Sequence, residues 1–195
     1  MSYNLFLIFL VLLSLFEISV LVYIGERLYS VCIKKQYPAV SCRNRHIYAI
    51  ATELKKHYPN MKTAVDIGSG FGRLARGIAK KTDLQVLAIE NMPISICVAK
   101  FMNFVTNTKK VNFIYADAFE YIAKSNKNFD IGFAYLGPGM NGRLCEIMSH
   151  FRILITLDAE IPGLTPTRII DVPGGCTDYH HLGKFPNRLF IYETK

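Results

Sequence analysis

The chain has 195 residues, of which 51% are apolar and 19% are charged, and its formal net charge is +8. This length accommodates one domain, or one domain plus an accessory segment. A charged fraction below the usual value of about a quarter, with only 13 Gly and 8 Pro, excludes a disordered or fibrous chain. The five cysteines are widely spaced and form no C-x-x-C pair, so we expect reduced thiols in a cytosol-like compartment, with neither a disulfide framework nor a zinc site.

The apolar residues are concentrated at the N-terminus. Residues 3–24 contain sixteen Leu, Ile, Val or Phe, no Lys or Arg, and one acidic residue, Glu17. A helix of this length reaches about 33 Å, enough to cross a hydrocarbon core of about 30 Å. Burying Glu17 costs about 2.5–3.5 kcal/mol, less than the summed gain of about 0.3–0.6 kcal/mol per apolar residue. We therefore expect a transmembrane anchor at residues 1–25. A cleaved signal peptide and a buried hairpin are the alternatives, although no basic start or small-residue cleavage site is found.

A basic segment follows the anchor. Residues 25–62 hold eight Lys or Arg against Glu26 and Glu53. The positive-inside rule then places the rest of the chain on the cytosolic side of the membrane. We interpret residues 26–42 as a basic juxtamembrane linker and residues 43–195 as one functional domain. Because topology explains the basic charge, we do not expect a nucleic-acid partner.

From residue 43 onward the hydrophobic pattern alternates between helices and strands. Helices are predicted at 47–57, after the glycine turn at 68–72, from Pro93 to about Val105, at 118–123 and at about 140–148. Strands are predicted at 63–67, 84–89, 111–115, 129–135 and 151–157, and residues 167–172 and 189–192 form a closing antiparallel pair. Such alternation with short loops predicts an α/β, Rossmann-like, largely parallel sheet flanked by helices.

Polar residues follow the first four predicted strands, at the edge where parallel sheets bind ligands. Asp66 and the glycine turn end the first strand, Glu90 the second, Asp117 the third, and residues 135–139 follow the fourth. Glu90 lies at the spacing from Asp66 at which an acid accepts hydrogen bonds from ribose hydroxyls. Each acid also has a structural alternative, a helix cap or turn for Asp66 and Asp117 and a solvated strand end for Glu90.

The spacing of the glycines distinguishes between nucleotide ligands. The run Asp66-x-Gly68-x-Gly70-x-Gly72 differs from the G-x-G-x-x-G that binds a dinucleotide pyrophosphate, and this disfavours a nicotinamide oxidoreductase. An acid directed into the turn suits a cationic amino-acid group, which indicates S-adenosylmethionine. Asp117 could then accept a hydrogen bond from the adenine amine, while Met92 and Phe119 could cover the two adenine faces.

Residues 65–74 resemble motif I of class I S-adenosylmethionine-dependent methyltransferases, and the resemblance extends from about Arg43 to the C-terminus. A narrower resemblance is to the small membrane-anchored lysine methyltransferases of mitochondrial carriers and the ATP synthase membrane subunit, and to their prokaryotic relatives. The features that carry this resemblance are the apolar N-terminal helix and the segments V-D-I-G-S-G-F-G-R, Tyr135-Leu136-Gly137-Pro138 and Ile161-Pro162-Gly163. The proline-rich segment of that subgroup is not found, and Pro38-Ala39-Val40-Ser41 is at best a remnant.

The resemblance implies S-adenosylmethionine as cofactor, with its methionine part at the glycine turn, its ribose at Glu90 and its adenine at Asp117. The cofactor-binding residues expected are Asp66, Gly68, Ser69, Gly70, Gly72, Glu90, Asn91, Met92, Asp117, Ala118 and Phe119.

The exit of the fourth strand is the best candidate wall of a methyl-transfer cleft, formed by Tyr135, Gly137 and Pro138. A core-edge aromatic is the structural alternative for Tyr135. Asp158 and Glu160 could help accept a substrate amine, but we assign neither of them a role. His180 and His181 are expected in a surface loop with no metal. We therefore expect N-methylation of a protein lysine or another amine near the membrane. A small-molecule or lipidic substrate and a non-catalytic scaffold are the alternatives.

Overall fold

The computed structural model describes residues 3–32, 42–137, 139–173 and 187–194. The chain divides into two compact units, Met1–Pro38 and Ala39–Lys195. The first contains helix α1 (Tyr3–Cys32), which continues beyond the anchor boundary expected at residue 25. Its stretch Asn4–Gly25 is long and apolar enough to cross a membrane, and none of it is buried. An N-terminal signal sequence shares this length and apolar composition.

The second unit is built on a seven-stranded mixed sheet with the order β3-β2-β1-β4-β5-β7-β6. Its strands are β1 (Thr63–Ile67), β2 (Gln85–Glu90), β3 (Val111–Tyr115), β4 (Phe129–Ala134), β5 (Phe151–Leu157), β6 (Arg168–Asp171) and β7 (Arg188–Glu193). Strands β1 to β5 are parallel, and β7 runs antiparallel to both β5 and β6. The chain runs outward from β1 to β3 and returns at β4, so the strand order reverses between β1 and β4.

Helices cover both faces of this sheet and enclose two hydrophobic clusters. One cluster lies under α2 (Asn44–His57), α3 (Arg73–Lys81) and α4 (Pro93–Val105), and it includes Ile50 and Ile78. The other lies under α5 (Ala118–Lys124) and α6 (Leu144–Ile147), and it includes Val65 and Ile67 from β1. Because β1 contributes side chains to both clusters, it is buried on both faces, as expected for a central parallel strand.

The predicted α/β fold with a largely parallel sheet and a closing antiparallel pair is confirmed. Strands β1, β3 and β5 and helix α4 have the predicted bounds, since each is a compact apolar run between clear turn signals. The single helix predicted at about 140–148 is wrong. Two turns of 3-10 helix, Asn141–Arg143 and Met148–His150, flank the four-residue α6 there. Gly142 disfavours a longer helix, and the spacing of the buried Leu144 and Ile147 requires only one turn.

Candidate functional site

The glycine turn between β1 and α3 has a backbone that only glycine adopts readily. Gly68, Gly70 and Gly72 have φ angles of 69°, 54° and 70°, all in the left-handed region. The turn is fixed by the N–H of Ser69, which donates to the Ile89 carbonyl at 2.9 Å. A Cβ at Gly72 would lie 2.4 Å from two ring carbons of Phe113, so β3 and this turn approach each other too closely for any side chain.

Glu90 ends β2, and its carboxylate lies against the glycine turn. The Gly70 N–H donates to Oε2 at 2.6 Å, while the N–H groups of Asn91 and Met92 donate to Oε1 at 3.0 Å and 2.9 Å. The side chain is buried. Because the carboxylate is held by three backbone donors, its place beside the turn is fixed. The solvated strand end considered as an alternative for Glu90 is therefore wrong.

Asp66 is buried inside the second unit, beneath the turn that it precedes. Its Oδ2 accepts a hydrogen bond of 3.1 Å from the N–H of Ala75 in the first turn of α3. Burial raises its pKa to about 7, with a further contribution from the negative charge of Glu90, and the Ala75 hydrogen bond opposes the shift. The side chain thus serves as a helix-capping acid, and it is also poised to change charge near neutral pH.

The expected adenine residues lie next to Glu90 in the fold. The N–H of Ala116 donates to the Glu90 carbonyl at 3.1 Å, which brings the end of β3 beside the end of β2. Asp117 caps α5 by accepting from the N–H of Glu120 at 3.1 Å. Ala118, Met92 and Phe119 are buried and Asn91 is half-buried. The guanidinium carbon of Arg143 lies 4.1 Å from the centre of the Phe119 ring and covers one of its faces.

The exit of β4 contacts the glycine turn at the point where the strand order reverses. A Cβ at Gly68 would lie 2.9 Å from Cδ2 of Leu136, so the expected cofactor turn and the expected cleft wall touch. Tyr135 is half-buried, and the Gly137 carbonyl accepts a hydrogen bond of 2.9 Å from the N–H of Met140. Pro138 lies outside the described residues.

A buried polar cluster adjoins Tyr135. The Tyr135 hydroxyl donates to Oδ2 of Asp158 at 3.0 Å, and the N–H of Arg188 donates to Oδ1 at 3.0 Å. Nε2 of the buried His46 lies 3.4 Å from Oδ1 of Asp158, an ion-pair distance without the alignment of a hydrogen bond. The aromatic rings of His46 and Tyr135 are tilted at 56° with centroids 6.0 Å apart.

Burial, with nearby negative charge, keeps the Tyr135 hydroxyl and the Cys42 thiol neutral. Burial raises the pKa of Tyr135, and the negative charge of Asp158 raises it further. Burial also raises the pKa of the nearby Cys42 thiol to about 12, with contributions from Asp66 and Asp158. Burial alone would raise the pKa of Asp158, but His46, Tyr135 and the Arg188 N–H together lower it. The cluster therefore holds one carboxylate, and Cys42 is not a thiolate nucleophile.

Sequence reasoning missed His46 and left Asp158 without a role. The signal for His46 was available, because it lies one helical turn before Ile50 on the apolar face of α2, and a polar residue on such a face needs a partner. The sequence offers no comparable signal for Asp158, whose left-handed φ of 61° immediately after β5 is a feature of the folded chain.

Two further predictions concern other parts of the chain. His180 and His181, expected in a surface loop, and the segment 38–41 lie outside the described residues. Within the described residues, no group of three His, Cys, Asp or Glu side chains could hold a metal ion.

Several methyltransferases are among the solved structures that superpose on this chain. An RNA methyltransferase from Salinibacter ruber in complex with S-adenosyl-L-homocysteine superposes with a TM-score of 0.59 at 18% identity, covering 80% of this chain and 93% of that one. A candidate O-methyltransferase from Klebsiella pneumoniae superposes with a TM-score of 0.54 at 18% identity, covering 62% of this chain and 58% of that one. An S-adenosylmethionine-dependent methyltransferase from Geobacter sulfurreducens, also with S-adenosyl-L-homocysteine, gives 0.52 at 15% identity, covering 67% and 54%.

At these sequence identities the similarity shows a shared fold and not a shared function. The fold is the class I methyltransferase fold. This chain spans less than two thirds of the length of the Klebsiella and Geobacter proteins. No protein-family model and no curated protein sequence matches it.

Proposed function

We propose that this chain is a membrane-anchored S-adenosylmethionine-dependent methyltransferase that methylates an amine, a protein lysine or another amine near the membrane. The observation that carries the methyltransferase assignment is the hydrogen bond from Gly70 to Glu90, in a glycine turn that borders the strand-order reversal between β1 and β4. In open α/β sheets this reversal is where ligands bind. Solved members of the same fold hold the demethylated cofactor.

The residues at the turn fit the cofactor. The Oγ of Ser69 is buried and has no hydrogen-bond partner among the described residues, so it is available to a polar ligand atom. Glu90 suits ribose hydroxyls because its carboxylate is fixed beside the turn. Asp66 suits the ammonium of a methionine moiety, since a neighbouring cation favours the charged form of a carboxyl with a raised pKa. Asp117, with Asn91, Met92, Ala118 and Phe119 nearby, would hold the adenine.

S-adenosylmethionine, when bound, supplies a methyl group on a sulfonium, and its transfer is an in-line displacement that depends on orientation. The chain's own contribution is then to position the nucleophile at the exit of β4. The Tyr135 hydroxyl donates its hydrogen to Asp158, so its oxygen lone pairs can accept an N–H hydrogen bond from a substrate amine. Tyr135, Gly137 and Pro138 are therefore proposed as the cleft wall, with Asp158 and His46 as positioning residues behind Tyr135.

The membrane part of the proposal rests on the N-terminal helix and on charge. The stretch Asn4–Gly25 is long and apolar enough to cross a membrane. The excess of Lys and Arg in residues 25–62 favours a cytosolic location for residues 43–195. An uncleaved anchor would place the methyltransferase unit beside membrane proteins and lipids, which supports a substrate at the membrane.

The experiment has two steps on the full chain in mild detergent. Calorimetric titration comes first, and we expect S-adenosyl-L-homocysteine to bind and NAD not to bind. Binding of NAD alone would overturn the methyltransferase assignment. The second step incubates the protein and labelled S-adenosylmethionine with membrane, soluble-protein and RNA fractions of the host. We expect label on lysines of membrane proteins by mass spectrometry. Label confined to RNA, lipid or small molecules would overturn the protein-lysine substrate, and cofactor binding without any label would favour a scaffold.

A further inference from the structure

Helix α4 (Pro93–Val105) is apolar on both of its long faces. Ser95, Ile96 and Ala99 are buried against the sheet. On the opposite side, Val98, Phe101, Phe104 and Val105 follow the i, i+3, i+4 spacing of one helix face. A surface helix ordinarily carries polar residues on its outer face, and a helix that is apolar all round is ordinarily covered.

The outer face of α4 is exposed within the described part of the chain. Phe101 is 63% exposed and Phe104 is 82% exposed, and Val98 and Val105 are exposed beside them. Tyr115, also exposed, lies on β3, the edge strand of the sheet. Two Phe rings presented to solvent on neighbouring turns of one helix are too apolar for a surface that meets only water.

The charged residues in the segment that carries this face are all basic. Residues 91–116 contain three Lys and no Asp or Glu. Lys110 pairs with Asp83 at 2.8 Å. Lys100 and Lys109 are exposed, and neither forms an ion pair within the described part of the chain. An apolar helix face bordered by lysines and an aromatic residue with a polar tip matches a bilayer interface that contains anionic lipid.

We propose that the outer face of α4, with Lys100, Lys109 and Tyr115, docks on the surface of an anionic lipid bilayer. This inference rests on the membrane attachment in the proposed function and is independent of methyl transfer. Anchored by residues 3–24, the second unit meets lipid at high local concentration, so a modest interfacial affinity is enough to hold it there. Docking would fix which side of the unit faces the membrane, and thereby which substrates reach its site.

The test uses the absence of tryptophan from the chain. Phe104→Trp introduces a single tryptophan at the centre of the proposed surface. Tyr48→Trp is the control on a different helix, α2, where the 59% exposed Tyr48 ring has Nζ of Lys81 of α3 3.5 Å from its centre. The full-length variants are reconstituted into vesicles of phosphatidylcholine and phosphatidylserine, with or without bromine atoms in the acyl chains, and recovered by flotation. Circular dichroism checks the fold, and Phe101→Trp provides a second reporter on the same face.

We expect brominated lipid to quench the Phe104→Trp and Phe101→Trp fluorescence several-fold more than that of Tyr48→Trp. The quenching should weaken in vesicles of phosphatidylcholine alone and after Lys100→Glu with Lys109→Glu. A chain that floats with its vesicles but shows equal quenching at Phe104 and Tyr48 overturns docking and leaves the anchor intact. A blue-shifted but unquenched Phe104→Trp means that protein covers this face, which also overturns it. A chain that does not float overturns both anchor and docking, while binding of S-adenosyl-L-homocysteine tests the methyltransferase assignment separately.

Discussion

The backbone N–H of Gly70 donates a hydrogen bond of 2.6 Å to Oε2 of Glu90. This contact joins the turn after β1 to the end of β2, and two more backbone donors fix the other carboxylate oxygen. A carboxylate accepts at all of these positions without reorientation, whereas an amide offers one acceptor oxygen and a donor group. The contact therefore couples the shape of the glycine turn to the charge of Glu90.

Glu90→Gln tests this coupling. We expect weaker binding of S-adenosyl-L-homocysteine by about 1.5–3 kcal/mol, or about 10- to 150-fold in Kd, since hydrogen bonds to a charged group are lost. Calorimetric titration of the full chain measures it. Glu120→Gln on the exposed surface of α5 removes a carboxylate that pairs with Lys124, and we expect no change in Kd there. Equal affinities for the two variants would contradict the placement of Glu90 in the cofactor site.

A comparison of Gly72→Ala with Gly163→Ala distinguishes the cost of a steric clash at the new Cβ from the cost of a left-handed backbone. Both glycines have left-handed φ angles, 70° and 80°, so alanine at either costs about 1–2 kcal/mol. Only at Gly72 would the new Cβ meet Phe113, at 2.4 Å, whereas nothing lies within 4 Å at Gly163. We expect Gly72→Ala to cost about 1–3 kcal/mol more, the usual range for overpacking. Urea unfolding of both variants measures the difference, and equal losses of stability would contradict the close approach of Phe113.

Much of this site was predictable because its signals are local. Asp66 and the three glycines lie within one strand–turn–helix, and Glu90 and Asp117 each end an apolar run, so alternation placed them all at one edge of the sheet. The position of β7 between β5 and β6 was not predictable, because an antiparallel pair at the chain end can join an edge strand through either member.

The contacts that join distant segments could not be derived from the pattern. His46 and Asp158 are far apart in the sequence, and only packing of α2 beside the end of β5 brings them within 3.4 Å. The three backbone donors to Glu90 likewise depend on the conformation of the turn, which spacing alone does not give. Periodicity indicates which face of an element is buried, whereas the partner of a buried polar group is set by tertiary structure.

Asp66→Asn should alter the dependence of stability on pH. The folded-state pKa of about 7 exceeds the ordinary value of 3.8, so the folded state binds the extra proton between these values. The free energy of unfolding should therefore fall as pH rises from about 4 to 7, by up to about 1.4 kcal/mol per pH unit. Asparagine mimics the protonated carboxyl and retains an acceptor for Ala75, so the variant should be as stable as wild type at about pH 4 and increasingly more stable than wild type as the pH rises to about 7.

Asp130→Asn is the control of opposite sign for this titration. Burial alone would raise the pKa of Asp130, but hydrogen bonds from Lys62, Thr63 and Arg152 lower it. Its contribution to stability is therefore present at neutral pH and is lost as pH falls through the folded-state pKa. We expect this variant to be less stable than wild type at pH 7, with the difference shrinking on acidification. Urea unfolding across the pH range measures both variants, and a pH-independent difference for Asp66→Asn would contradict the raised pKa.

Tyr135→Phe tests the cleft wall against a purely structural role. The variant keeps the ring and removes the hydroxyl that donates to Asp158 at 3.0 Å. We expect methyl transfer to membrane fractions to fall by about ten-fold or more, since an oriented hydrogen bond to the substrate amine is lost. The Kd for S-adenosyl-L-homocysteine should stay unchanged. Tyr58→Phe is the matched control, because the Tyr58 hydroxyl donates to Glu193 at 2.6 Å. Glu193 pairs with Ile153 near the start of β5, at the end of the parallel strands opposite to the exit of β4. Equal transfer rates for the two variants would remove Tyr135 from the cleft.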